Sequence, residues 1–194
     1  MTDPASLPAD LPEPVDDGAC DHLTGMELPG IALPSADGAE RSLRDVPSRW
    51  LVLFVYPRTG GPGVELPDGW ELIPGAKGCT PQSCGFRDHH AELRALDATV
   101  WGLSAQPRSE QQEFAERMAI PFPLLNDSGL RLAGAPLRLP TFTVDGRTLY
   151  RRVTLVADRG RITRVFYPVF PPGTNAADVV DHFTRVAASR TPQD

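Results

Sequence analysis

Hydrophobic positions switch between strand-like and helix-like spacing along the central part of the chain. Residues 50–56, WLVLFVY, form an unbroken apolar run between Arg49 and Pro57, which is typical of a strand buried on both faces of a sheet. Residues 80–97 space apolar and small side chains at helical intervals and predict one amphipathic helix. The pattern then predicts a strand at TVWGLSA, a helix at SEQQEFAERMA capped by Ser109, a strand at FPLLND and a short helix at SGLRLAGA. The core is therefore predicted to run βαβαβα.

The segments around this core predict the rest of an α/β domain. Residues 26–43 read as a small β-hairpin closed by the turn sequence ADG. Towards the end of the chain, YRRVTLVADRGRITRVFY predicts two strands, and NAADVVDHFTRVAASR predicts a closing helix that starts at Asn175. This is a thioredoxin-type arrangement with an extra hairpin in front. Residues 1–24 are rich in Pro, Asp and Ala and are predicted to be a flexible tail, so residues 25–190 form the predicted domain.

Composition excludes several classes of partner. The chain has 194 residues, of which 41% are apolar and 23% charged, as expected for one globular domain. Its formal net charge of -6 disfavours nucleic acid and anionic membrane surfaces, since both are bound through clustered basic side chains. No apolar run is long enough to span a bilayer, and the acidic, proline-rich start does not resemble a signal peptide. We therefore expect a cytoplasmic protein.

The chain contains three cysteines, and the position of Cys79 points to chemistry. Residues 57–78 are dense in Gly and Pro and predict a long loop. Cys79 follows this loop at the start of the predicted helix, because Pro81 fits only in a first helical turn. The unpaired N–H groups of a helix start stabilise a thiolate, and Lys77 lies two residues away. Cys79 is thus a candidate nucleophile, with a buried, inert thiol as the alternative.

A second cysteine, Cys84, follows on the same predicted helix. Five helical residues rise about 7.5 Å and turn about 500°, so two thiols at this spacing point roughly 140° apart. Their Cα atoms then lie beyond the roughly 7 Å that a disulfide tolerates, and a bond requires the helix start to unwind. Gly78, Gly85 and Pro81 lower the cost of that opening. The spacing matches a thiolate that meets an oxidant while folded and is then captured by a second thiol.

The sequence YPRTG followed by GCTPQSCGFRD resembles the active-site region of peroxiredoxins of the bacterioferritin comigratory protein (PrxQ) group, over about residues 26–188. The resemblance implies a thioredoxin-like fold of the peroxiredoxin type with a loop insertion at the active site. It implies a peroxidase for hydrogen peroxide and alkyl hydroperoxides, with Cys79 as the peroxidatic and Cys84 as the resolving cysteine. Thioredoxin or a similar dithiol would recycle the disulfide. No metal or organic cofactor is implied, and we expect a monomer or weak homodimer.

The resemblance also implies an arginine beside the thiolate and a threonine hydroxyl on the peroxide. The segment RRVTLVADRGRI places Arg152 in the first role, and Arg151 is expected to point to the other face of its strand. The family pattern P-x-x-x-T-x-x-C puts its threonine where this chain has Ala76. The proline matches Pro57, and the nearest hydroxyl is Thr59, which an insertion of about fifteen residues separates from the cysteine. Thr59 is assigned the threonine role on that basis.

The sequence is also compatible with three other functions. A thioredoxin-like disulfide oxidoreductase would use LRLPTF as its cis-proline segment, although that class has C-x-x-C and not C-x4-C. A peroxide sensor would use the same cysteines as the peroxidase. A zinc-binding module would combine four or more side chains at spacings unusual for zinc, namely Cys20, His22, Cys79 and Cys84, with His89 or His90. Otherwise Cys20 is expected to be solvent-exposed, and His89, His90 and His182 to be surface or helix-packing residues.

Overall fold

The structure is a computed structural model, described for residues 11–63 and 65–189. Within these ranges no helix is both long and apolar enough to cross a bilayer. The strands are β1 (Ala32–Pro34), β2 (Glu40–Ser42), β3 (Trp50–Val55), β4 (Ala98–Ser104), β5 (Leu124–Asn126), β6 (Thr141–Val144), β7 (Arg147–Tyr150), β8 (Val153–Asp158) and β9 (Arg161–Phe166). The helices are α1 (Cys79–Asp88), α2 (His90–Ala95), α3 (Arg108–Arg117) and α4 (Asn175–Ala188), with single 3-10 turns at Trp70–Leu72, Arg131–Ala133 and Pro172–Thr174.

A five-stranded mixed sheet forms the centre of the domain. Its strand order is β5-β4-β3-β8-β9. Strands β3, β4 and β5 are parallel, whereas β8 pairs with β3 and β9 in antiparallel fashion. The hairpins β1-β2 and β6-β7 form two small antiparallel sheets. This topology, with its leading hairpin, is the predicted thioredoxin-like α/β fold.

Strand β3 is buried along its whole length and divides the core in two. Because side chains alternate across a strand, Val52 and Phe54 face the helices while Leu51 and Leu53 face the opposite layer. All four helices contribute buried residues to the first layer. The ring of Phe54 stacks on Phe86 of α1 with centroids 4.5 Å apart, so α1 is seated directly on the central strand.

Several local predictions differ from the structure. One helix was expected over residues 80–97, but His89 leaves helical conformation (φ -90°, ψ 4°) and separates α1 from α2. Ser109 does not cap α3, since Pro107 occupies the cap position and Ser109 lies inside the first turn. The short helix expected at SGLRLAGA is a single 3-10 turn. Hairpin β6-β7 closes at Asp145 and Gly146 and was not predicted, although DG is a hairpin turn signal.

The end of the predicted tail packs against the domain. Residues 1–10 lie outside the described residues. Leu23 is fully buried in the layer opposite the helices, and the ring of His22 hydrogen-bonds through Nε2 to the carbonyl of Leu137 at 2.8 Å. Cys20 belongs to the same layer and is 5% exposed. The expectation of a solvent-exposed Cys20 is therefore wrong, because Leu23 anchors this stretch in the core.

Candidate active site

Cys79 is the first residue of α1, as Pro81 predicts. Gly78 holds the cap position with φ 107°, a conformation that side chains with a Cβ rarely adopt, so glycine is needed for the loop to enter the helix. The Cys79 side chain is 3% exposed, and its Sγ lies 3.5 Å from the carbonyl oxygen of Ala76. The helix start thus places a buried sulfur beside unpaired backbone N–H groups.

Arg152 lies directly against this sulfur. Its Nη2 is 3.2 Å from Cys79 Sγ and also donates to the carbonyl oxygens of Gly75, Ala76 and Lys77 at 3.2–3.3 Å. Its Nη1 donates to Oε1 of Gln82. The side chain is 3% exposed and, among the described residues, forms no salt bridge with a carboxylate. Burying a cation is costly without compensating partners, and this guanidinium is held by one sulfur, three backbone carbonyls and one side-chain amide.

One donor of Arg152 is not used by the contacts described above. Its Nε is buried and has no hydrogen-bond partner within the described part of the chain. Arg152 also lines a narrow cleft, and its planar guanidinium has donors for more than one partner. The other residues that line the cleft are Pro14, Val15, Pro57, Pro74, Gly75, Phe142, Arg151, Tyr167, Pro168 and Val169.

Arg151 also lines the cleft, and the expectation that its side chain points away from that of Arg152 stays a prediction. Both arginines precede β8, where the alternation of side chains along a strand does not yet apply. Across the cleft, the hydroxyl of Tyr167 donates to Oδ1 of Asp17 at 2.9 Å. This bond, with help from the positive charge of Arg151, holds the pKa of Asp17 below its usual value.

Thr59 is buried near the cleft, but its polar atoms are already used. Its N–H donates to Gln106 Oε1 at 2.9 Å, and its hydroxyl lies 3.1–3.2 Å from the amide atoms of the same side chain. No hydrogen bond joins Thr59 to Cys79 in the described structure. Neighbouring Arg58 is fixed by a two-point ion pair with Glu110. The threonine role of Thr59 is therefore untested, and these contacts favour a structural role for its hydroxyl instead.

Replacing Thr59 with valine tests that role. We expect kcat/KM for peroxide to change by less than about threefold, because the hydroxyl serves Gln106, while stability falls by about 1 kcal/mol. Stopped-flow peroxide kinetics and thermal unfolding separate the two effects. A loss of about tenfold or more in kcat/KM with normal unfolding would instead assign the hydroxyl to the peroxide.

Cys84 lies five residues after Cys79 on α1 and is 7% exposed. Both cysteines carry reduced thiols. Since both belong to one continuous helix, the spacing and rotation expected from sequence apply, and a disulfide between them requires α1 to unwind. The second turn also contains Gly85, which lowers the helix propensity at that point.

The third cysteine, Cys20, is not a candidate nucleophile. Burial, together with the charges of Asp17, Asp16 and Asp21, raises the pKa of Cys20 to about 12, so the thiol is protonated at neutral pH and unreactive. Among the residues that the structure describes, no three or more His, Cys, Asp or Glu side chains form a metal-binding group. Cys20, His22, Cys79 and Cys84, the ligands of the zinc hypothesis, are thus not gathered into one site.

His89, His90 and His182 are packing and surface residues, as expected. The ring of His89 lies 3.0 Å from Glu92 one helical turn away. The ring of His90 packs edge-on against Phe122, with burial lowering its pKa. His182 packs against Phe166 and Phe183. None of them contacts Cys79 through a hydrogen bond in the described structure.

Sequence reasoning missed two buried amides behind the cysteine. Gln82 lies one helical turn after Cys79 and is fully buried between Arg152 and Asn175. Asn175 was expected to start α4, and it is the helix's first residue, but its side chain points inward and caps nothing. The i,i+3 spacing places Gln82 on the same helix face as the sulfur, which is the one signal in the sequence that pointed to it.

Comparisons with known proteins agree with this geometry. The sequence matches the redoxin family over residues 23–181. It is 34% identical to peroxiredoxin bcp1 of Schizosaccharomyces pombe over 127 residues and 31% identical to peroxiredoxin Bcp of Bacillus subtilis over 111 residues. These alignments cover 64% and 57% of this chain but only 57% and 61% of the two relatives. The crystal structure of peroxidoxin BcpB from Mycobacterium tuberculosis superposes with a TM-score of 0.67 at 27% identity, over 87% of this chain and 98% of that one.

Proposed function

Because the chain belongs to the redoxin family and, within it, to the Bcp/PrxQ peroxiredoxins, we propose that it is a thiol-dependent peroxidase for hydrogen peroxide and alkyl hydroperoxides. The contact of 3.2 Å between Arg152 Nη2 and Cys79 Sγ carries the proposal. It joins a buried cation to a sulfur at a helix start, which is the environment that activates a thiolate nucleophile.

In the first step the Cys79 thiolate attacks the distal oxygen of the peroxide. A sulfur–oxygen bond forms while the oxygen–oxygen bond breaks, and the departing oxygen takes a proton and leaves as water or an alcohol. Cys79 is left as a sulfenic acid. Arg152 Nη2 contacts the sulfur, and the guanidinium charge beside it can stabilise the peroxide oxygen on which negative charge develops.

In the second step Cys84 attacks the sulfenic sulfur. A disulfide forms and the hydroxyl leaves as water, which requires the start of α1 to unwind as described above. A dithiol of the thioredoxin type then reduces the disulfide through a mixed disulfide and regenerates both thiols. Sulfur carries every electron transfer, so the cycle as proposed needs no metal or organic cofactor.

The proposal extends to partners and location. Cys79, Cys84 and Arg152 all come from one chain, so a monomer or weak homodimer suffices for the cycle. The cycle needs dithiol donors, and such donors keep thiols reduced in the cytoplasm. We therefore place the enzyme in the cytoplasm. Nucleic acid and membranes have no part in the cycle.

A coupled assay tests the proposed function. With thioredoxin and its reductase as donor, we expect the protein to consume hydrogen peroxide and tert-butyl hydroperoxide at rates proportional to its concentration. A disulfide oxidoreductase would reduce insulin disulfides but not peroxide. A dedicated sensor would be oxidised once by peroxide and show no sustained consumption with any dithiol, and that result would refute catalytic turnover.

The same kinetics measure the contribution of Arg152. Replacing Arg152 with leucine should lower kcat/KM for peroxide by about a hundredfold, because it removes the donors that face the sulfur and the developing oxyanion. Arg152→Lys should recover part of the rate, since it keeps the charge but not the fork. The backbone carbonyls of Gly75, Ala76 and Lys77 lose their donor in the leucine variant, and thermal unfolding measures any resulting loss of stability. A folded leucine variant with less than about fivefold loss would exclude Arg152 from the reaction.

A further inference from the structure

A chain of buried polar side chains connects the reactive end of α1 to the start of α4. Gln82 Oε1 accepts from Arg152 Nη1, and Gln82 Nε2 donates to Asn175 Oδ1 at 2.9 Å. The same oxygen of Asn175 accepts from the hydroxyl of Thr154 on β8 at 2.7 Å. Gln82 and Thr154 are fully buried and Asn175 is 1% exposed, so no solvent competes for these bonds.

The contact between Gln82 and Asn175 lies where α1 has to open. Gln82 is located between Cys79 and Cys84, and unwinding this stretch withdraws its side chain from Asn175. The backbones also approach closely here, because a Cβ added to Gly85 would lie 3.1 Å from the carbonyl oxygen of Gly173. Helix α1 is therefore held at this point by the hydrogen bonds of Gln82 to Asn175 and Arg152 and by close packing against the residues that begin α4.

Opening and closing have unequal consequences for the polar groups. When α1 unwinds, Gln82 reaches water and regains hydrogen bonds there, whereas Asn175 stays in the folded body with Thr154 as its donor. The bond to Asn175 therefore stabilises only the wound form of α1. Without it the opening equilibrium should shift towards the unwound form by about three- to tenfold, the range for one buried hydrogen bond.

We propose that Asn175 sets the rate at which α1 opens after Cys79 is oxidised, and thereby the fate of the sulfenic acid. This inference rests on the proposed peroxidase cycle. In one branch Cys84 reaches the sulfenic sulfur, forms the disulfide and releases water. In the other, a second peroxide oxidises the still-wound sulfenic acid to sulfinic acid, and that peroxide is reduced to water or alcohol. Asn175 contacts neither sulfur nor substrate cleft in the described structure, so it is a positioning residue that acts through Gln82.

The variant Asn175→Leu removes the accepting oxygen at similar volume. After one equivalent of hydrogen peroxide, acid quenching and intact mass should show disulfide formation about three- to tenfold faster than in the wild type. With excess peroxide the sulfinic product should fall correspondingly. The first oxidation should change by less than about twofold, since Arg152 and Cys79 are untouched. Hydrogen exchange of α1 amides in the reduced variant should accelerate by the same factor as the disulfide step.

Two matched variants separate this role from general destabilisation. Asn175→Asp keeps an acceptor oxygen for both donors and should not accelerate disulfide formation, while thermal unfolding measures the cost of burying a carboxylate there. Thr154→Val removes the other hydrogen bond to the same oxygen without touching α1, and should lower the unfolding temperature without accelerating disulfide formation. If Asn175→Leu does not fold, Asn175→Ala introduces no larger group and takes its place.

Failure of the role of Asn175 can be distinguished from failure of the proposed peroxidase function. Equal disulfide rates in the wild type and in Asn175→Leu, or acceleration by Asn175→Asp as large as by Asn175→Leu, would overturn the role of Asn175 while leaving the peroxidase intact. Absence of any disulfide in the wild type would instead refute the two-cysteine cycle itself.

Discussion

Cys79→Ser is expected to abolish peroxide reduction, with a loss of at least about a thousandfold in kcat/KM. A serine hydroxyl stays protonated at neutral pH and cannot attack the oxygen–oxygen bond as a thiolate does. The substitution changes one buried atom beside Arg152, so the fold should be retained. The measurement is peroxide consumption with dithiothreitol as donor, which bypasses the need for a protein reductant.

Cys20→Ser is the matched control for this result. Cys20 is also buried, but its pKa is raised to about 12 and it takes no part in the proposed cycle. Its serine variant should keep peroxidase activity within about twofold of the wild type, after allowance for any loss of stability. If the Cys79→Ser protein still consumed peroxide, Cys79 would not be the nucleophile. If a folded Cys20→Ser protein did not consume peroxide, the assignment of the chemistry to Cys79 alone would be wrong.

Cys84→Ser is expected to stop turnover by thioredoxin while sparing the first oxidation. The Cys79 thiolate and Arg152 are unchanged, so the protein should still reduce about one peroxide per chain in a rapid burst. Without a second thiol the sulfenic acid has no disulfide to form, and thioredoxin has no bond to exchange with. Stopped-flow consumption should show the burst followed by a steady rate at background.

A trapping reagent completes that experiment. Dimedone, which reacts with sulfenic acids, should label Cys79 in the Cys84→Ser protein after one equivalent of peroxide. In the wild type the label should be sparse, because Cys84 captures the sulfenic acid first. Steady turnover of Cys84→Ser with thioredoxin would show that another thiol resolves Cys79, and the reactive partner would then have to be sought elsewhere.

The parts of the fold that were predicted correctly depend on local patterns. The run WLVLFVY is buried on both faces and predicted a central strand, and β3 matches it residue for residue from Trp50 to Val55. The place of Cys79 followed from Pro81, whose missing N–H is tolerated only in the first turn of a helix. Each signal lies within a few residues of the feature that it predicts.

The sequence predictions that were wrong concern residues whose local structure depends on contacts with distant parts of the chain. The composition of the predicted tail gave no sign that Leu23 is fully buried and carries Cys20 into the core. Helical spacing over residues 80–97 did not reveal the interruption at His89, because one non-helical residue barely changes the periodicity. Asn175 reads as a cap from its position, and only the packing of α1 shows that it bonds Gln82 instead.

The active site was predictable in part. The cysteine spacing indicated the two-thiol chemistry, but Arg152 was assigned from family resemblance, since 73 residues separate it from Cys79. The position of Thr59 was taken from the same resemblance, and the insertion that separates it from the helix leaves its hydroxyl on Gln106. Sequence reasoning identifies which residues can react but not which buried amides hold them.

Intact mass and peptide mapping of the reduced wild-type protein, before and after one equivalent of hydrogen peroxide, test the central claim most directly. We expect a loss of two hydrogens that maps to a bond between Cys79 and Cys84, with Cys20 unmodified and the bond reopened by thioredoxin. An unchanged mass, or oxygen added at Cys20 alone, would contradict the two-cysteine cycle.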